Sequence, residues 1–141
     1  MNQAALLIHP KYHVYSALIG KYDHKRDYVG AEGDWKSKYI PKKLKISRVN
    51  VNPCAYIHDC DYLIGGCQKC KESADNAFHE NMINAVYSSG PLWFWGSDWI
   101  RKEIGMIGAD TYYFAVDKFG DDAFNFHNNC KHLTERSIAH D

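Results

Sequence analysis

Long apolar runs are the first thing missing. No stretch of the 141 residues approaches the ~20 consecutive apolar residues that a membrane-spanning helix needs, so no transmembrane segment is expected. An excess of either charge is missing too. Lys+Arg is 17 and Asp+Glu is 17, a formal net charge of zero with the 8 His neutral. Charge-driven nucleic-acid binding carries a basic excess, so no nucleic-acid partner is expected. The chain has no internal repeat, low-complexity tract or charge block, which argues against a repeat array or a charged tail. A signal peptide is not expected either. The apolar stretch Ala4 to Ile8 is too short for a leader core and has no basic residue before it. The expected location is therefore cytoplasmic, or outside the cell after lysis. A second Cys-x2-Cys is also lacking. The 5 cysteines are Cys54, Cys60, Cys67, Cys70 and Cys130. An odd count without a leader favours thiols or a metal site over a full disulfide framework.

What is present reads as one globular domain over residues 1–141, at 45% hydrophobic and 24% charged. Aromatics reach 14%, with 10 Tyr, which predicts a core or surface rich in amphipathic rings. Residues 1–52 form an irregular N-terminal region. Within it, Tyr12 to Ile19 is β-branched and aromatic enough to predict a strand. Gly30, Gly33 and Pro41 punctuate a long loop over 27–45. A helical core follows over 53–120. Asn52 reads as an N-cap with Pro53 at the first helical position, and Gly65-Gly66 as the stop. A second helix starts between 68 and 73 and runs to about 88, with the stripe Ala74, Phe78, Met82, Ala85, Ser89. A third covers about 98–119, with the stripe Ile100, Ile104, Ile107, Tyr112, Ala115, Phe119. Gly105 and Gly108 suggest a break in it, and Gly120 its end. Residues 121–141 read as a polar tail. The fold class is mainly α: a compact helical domain.

The segment richest in chemistry is Pro53 to Tyr62. His58 and Tyr62 are four apart and share one helix face. Asp59 is rotated about 100° from His58 and serves a different direction. Asp75 lies on the next helix. If the two helices pack antiparallel, His58 sits ~9 Å before the first one ends and Asp75 ~3–10 Å into the second, so their levels match. A carboxylate on one imidazole nitrogen fixes the tautomer and leaves the other nitrogen as a general base. Tyr62 can donate to the same carboxylate. Asp59 can hold a hard cation beside the base. Base and cation together suit hydrolysis at a carbonyl.

The run Cys54-x3-His58-Asp59-x2-Tyr62, followed by Ala74-Asp75-x2-Phe78, resembles the catalytic helix pair of the phospholipase A2 superfamily. The resemblance covers about residues 54–78. It implies His58 as the base that activates water, Asp59 as a calcium ligand, and Tyr62 and Asp75 as supports of His58. It also implies a lipid-ester substrate presented at a phospholipid or membrane surface. A broader likeness, over roughly 35–124, is to small phage and bacterial proteins. It rests on Trp35-x4-Ile40-Pro41, the same two cores, Asn81-Met82, and the run from Tyr112 to Gly120. The Tyr-Gly-Cys-x-Cys-Gly-x-Gly-Gly calcium loop of the secreted phospholipases has no copy here. The nearest glycine-bearing segment is Tyr28 to Gly33. The paired cysteines before the histidine are reduced to Cys54.

Other readings stay open. Cys67-x2-Cys70 suits zinc if completed by Cys54 or Cys60, or by Cys130 with His127 or His132. The set Cys67, Cys70, Cys130, His132 is the leading zinc alternative. It belongs with a non-catalytic phage or bacterial protein that uses the same scaffold for protein or membrane contact. Trp93, Trp95 and Trp99 read either as an interfacial patch or as a corner plugging the core. A phosphohydrolase site would need His24 or His79 beside His58-Asp59.

Overall fold

Among the described residues, four helices follow one another: α1 (Tyr12–Ile19), α2 (Asn52–Ile64), α3 (Gln68–Ser88) and α4 (Asp98–Phe119). A 3-10 turn at Asp121–Ala123 comes after them. The computed structural model describes residues 12–26, 28, 49–88 and 98–130, with side chains in the last range from 102 on. The mainly α class expected from the sequence is the one observed. The expected 27–45 loop, the Trp35 to Pro41 stretch, Trp93, Trp95 and His132 lie outside the described residues, as does the side chain of Trp99.

Residues 12–19 are helical, where composition predicts a strand. Tyr15 is buried, and Tyr12 and Ile19 pack on the same core. These positions are three and seven residues apart, the spacing of one helix face. Val14 and Leu18 stay exposed. Burying one tyrosine-rich face outweighs the strand preference of individual side chains.

The high tyrosine content has a structural use. Tyr22 stacks on Tyr28 at 5.5 Å, and both meet Tyr56 edge-on at 5.6 and 5.2 Å. The hydroxyls of Tyr28 and Tyr56 bind backbone, and that of Tyr22 accepts from the Asn52 side-chain amide at 3.4 Å. Tyr56 donates to the carbonyl of Gly20 at 2.8 Å, and Tyr28 accepts from the amide of Asp23 at 3.0 Å. Each ring buries apolar area while its polar tip satisfies a loop.

Pro53 enters α2 at its start, as expected, but Asn52 does not cap it. The Asn52 side chain accepts from the amide of Tyr28 at 2.8 Å and donates to the carbonyl of Arg26 at 2.6 Å. Asn50 Oδ1 accepts from the Asn52 amide instead, at 3.1 Å. An amide side chain has both donor and acceptor, so Asn52 is more useful as a buried tie to the preceding loop. Gly65 and Gly66 end α2 with φ of 68° and 142°. A side chain at Gly65 would strike the backbone of Asn125.

α2 packs against α1 and α3, and α3 against α4. The buried face of α3 is Lys71, Ala74, Asp75, Phe78, Met82, Ala85 and Val86, which contains the expected stripe through Ala85. α4 matches expectation only in part. Tyr112 is buried as expected, but Ile107 is 65% exposed and Phe119 is 55% exposed, and Gly105 and Ala109 face inward instead. A Cβ at Gly105 would lie 2.5 Å from Val86 Cγ1. Gly105 and Ala109 let α4 approach α3 closely, so Gly105 serves packing and α4 runs unbroken. Residues 121–130 are mostly exposed and are anchored at Phe124 and Cys130. Phe124 joins Tyr62 and Ala74 in a second small core, and Cys130 is buried.

Candidate active site and thiol cluster

α2 and α3 run antiparallel, as the match of levels requires. His58 stacks on Phe78, with ring centroids 4.5 Å apart, while Tyr62, one turn later, packs with Ala74 one turn earlier on α3. Asp75 lies between. His58 Nε2 is 3.0 Å from Asp75 Oδ1, and the Tyr62 hydroxyl donates to that same oxygen at 2.6 Å. The His58 and Tyr62 rings are 4.1 Å apart. All three side chains are buried, His58 at 6% exposure and Asp75 at 2%.

The second oxygen of Asp75 holds a residue that the sequence reading missed. Lys71 Nζ donates to Asp75 Oδ2 at 2.8 Å and to the carbonyl of Val116 at 3.2 Å, and it lies 3.4 Å from Asp121 Oδ1. The available signal was the i, i+4 spacing of Lys71 and Asp75 on one helix. Burial opposes ionisation of Asp75, but donors from His58, Lys71 and Tyr62 outweigh it and hold the carboxyl below its ordinary range. Burial likewise opposes the Lys71 ammonium, and the Asp75 and Asp121 carboxylates overcome it, raising Lys71. Burial and the Asp75 carboxylate push the Tyr62 phenol well up, so it remains a donor.

An ionised carboxylate only accepts hydrogen bonds. Nε2 of a neutral His58 therefore carries the proton toward Asp75, and Nδ1 keeps its lone pair. Among the described residues, no group is hydrogen-bonded to Nδ1. Asp59 is half-buried, and no described residue makes a hydrogen bond to its carboxylate. Burial pushes that carboxyl up to about 7, against the pull of Arg26. A shallow depression on the outer face of α3, between Lys69, Glu72, Asn76 and Glu80, does not include His58.

The further histidines do not join this pair. His79 Nε2 is 2.7 Å from Asp110 Oδ1 on α4, and His24 is exposed. Among the described residues, no third His, Cys, Asp or Glu gathers with His58 and Asp59 within metal-ligating range, so the phosphohydrolase arrangement is not formed there.

A separate group is formed. The ligating sulfurs of Cys67, Cys70 and Cys130 lie within 4.8 Å of one another and could hold a metal ion. Cys54 and Cys60 are buried in the main core instead, with Cys60 Sγ 3.9 Å from the carbonyl of Tyr15. His127 is beside the cluster, but both its nitrogens are engaged. Nε2 donates to the carbonyl of Ile64 at 2.8 Å, and Nδ1 accepts from the amide of Asn129 at 3.1 Å.

No protein-family model matches the chain, and no curated protein or solved structure matches it.

Proposed function

We propose that the chain is a phospholipase A2-like esterase that hydrolyses a lipid ester with water activated by His58. The observation that carries this reading is the buried bond from His58 Nε2 to Asp75 Oδ1, with Tyr62 on the same oxygen. Asp75 orients the ring and stabilises the imidazolium. His58 Nδ1 takes a proton from water as the water oxygen attacks the ester carbonyl. The ester C–O bond then breaks, and the proton passes to the departing alkoxide, giving a fatty acid and an alcohol. Tyr62 and Asp75 are positioning residues because they act through His58.

Calcium takes six to eight oxygen ligands. The described residues bring one carboxylate, Asp59, to the neighbouring direction, which falls short of that shell. No step above runs through a cation. Asp59 is the residue that would hold one, and calcium enters as a variable of the test. The substrate class places the partner at a phospholipid surface.

The test is fatty-acid release from phosphatidylcholine vesicles, with calcium or with chelator. The wild type is compared with His58→Gln, whose fold is checked by circular dichroism. Release is expected to drop about 100- to 10,000-fold in the variant, the usual range for loss of a general base. Release that His58→Gln leaves intact refutes the assignment.

Lys71 favours a second reading. Its ammonium neutralises Asp75 from the far side, as in a purely structural ion cluster. The chain would then be a non-catalytic scaffold used for protein or membrane contact. An absence of fatty-acid release under every condition selects this reading.

A further inference from the structure

We propose that Cys67, Cys70 and Cys130 form a zinc site that clamps residues 126–130 onto the turn between α2 and α3. The proposal is independent of the esterase reading, since none of these residues touches His58 or Asp75 through any bond described above.

The geometry is close to what the metal requires. Cys67 Sγ and Cys70 Sγ are 4.0 Å apart, and all three sulfurs lie within 4.8 Å. With Zn–S bonds of ~2.3 Å, a tetrahedron has sulfur–sulfur edges of about 3.8 Å. A contraction of less than about an ångström therefore seats the ion. Thiolates select a soft or borderline cation such as zinc over calcium or magnesium.

Backbone donors already face the sulfurs. The amide of Cys67 donates to Cys130 Sγ at 2.9 Å. The backbone amides of Cys70 and Lys69 also face Cys67, and a dication would displace the protons that the thiols carry.

The surrounding chain is shaped for the cluster. Gly66 has φ of 142°, and a Cβ there would lie 2.5 Å from Cys70 Sγ and 3.3 Å from Cys130 Sγ. Any side chain at 66 would occupy the space beside the thiols. Two backbone bonds bring the remote segment into place. The amide of Gly66 donates to the carbonyl of Asn125 at 3.0 Å, and the amide of His127 to the carbonyl of Gly66 at 2.8 Å. A disulfide explains the group less well, because it would join two sulfurs and leave the third unused. The clamp fixes the first turn of α3, from which Lys71 projects one turn before Asp75.

The test is elemental analysis of the full chain purified under reductant in zinc-supplemented medium. About one zinc per chain is expected for the wild type and for Cys54→Ala, and less than about 0.1 for Cys67→Ser and Cys130→Ser. Cobalt titration of the wild type covers the case in which the serine variants fail to fold. Thiolate-to-cobalt charge-transfer absorption of three-sulfur intensity is expected, and zinc should bleach it. Four outcomes overturn the proposal: no metal in the wild type, iron in place of zinc, full zinc retention in Cys130→Ser, or a Cys67–Cys70 disulfide in the reduced preparation.

Discussion

Asp75→Asn tests the structural core of the site. The substitution removes one negative charge from a cluster in which Asp75 is 2% exposed and Lys71 is 1% exposed. Asp75 accepts from His58 at 3.0 Å, Tyr62 at 2.6 Å and Lys71 at 2.8 Å. Removing one partner of a buried pair typically costs 3–5 kcal/mol, because the other charge is stranded. Lys71 retains the Val116 carbonyl and the exposed Asp121 carboxylate, so the lower end applies, about 3 kcal/mol. For a domain of this size that is roughly a 10 °C fall in melting temperature. Urea denaturation followed by circular dichroism measures it. Lys71→Met combined with Asp75→Asn removes both charges, and the double variant should be about 2 kcal/mol more stable than the sum of the singles implies.

The pH dependence has a defined sign. The folded carboxyl of Asp75 lies below its unfolded value of ~3.9. Its contribution is complete above that value and is lost as pH falls through the folded one. Lys71 is raised, so its share is complete below ~10.4 and is lost as pH rises through its folded value. A cost below about 1 kcal/mol for Asp75→Asn, or strict additivity in the cycle, would falsify the buried-cluster account.

Two further outcomes follow from the same geometry. Burial pushes the Asp59 carboxyl up to about 7, so its ionised form is the unfavourable one and its contribution to stability falls as pH rises from ~4 to 7. In calcium-free buffer, Asp59→Asn should be about 1–3 kcal/mol more stable than wild type at pH 8 and no different at pH 4, measured by denaturant titration at each pH. Gly105→Ala places a methyl against Val86 and should cost about 1–3 kcal/mol. Part of that loss should return with Val86→Ala, and thermal melts of the single and double variants show whether it does.

Local patterning was sufficient for several features. Pro53 and Gly65-Gly66 delimit α2 by restricting backbone angles, and α3 shows its inner face through Ala74, Phe78, Met82 and Ala85. Those signals depend only on neighbours within a turn. The facing of His58, Tyr62 and Asp75 was also legible, since i, i+4 spacing and a short antiparallel connection determine which turns meet.

Other features needed the packed chain. Tyr12 to Ile19 could become strand or helix by composition, and burial of Tyr15 beside α2 decided it. α4 turned its small residues inward because close approach to Val86 gains more contact than burying Ile107 or Phe119. Asn52 left its capping role for a bond to Tyr28, and residues 121–130 folded back so that Cys130 reached Cys67. Sequence alone thus determined the helices whose ends and apolar stripes are written in adjacent residues. Tertiary structure decided which face is buried and which thiols converge, because those choices depend on the shape and charge of segments distant in the chain.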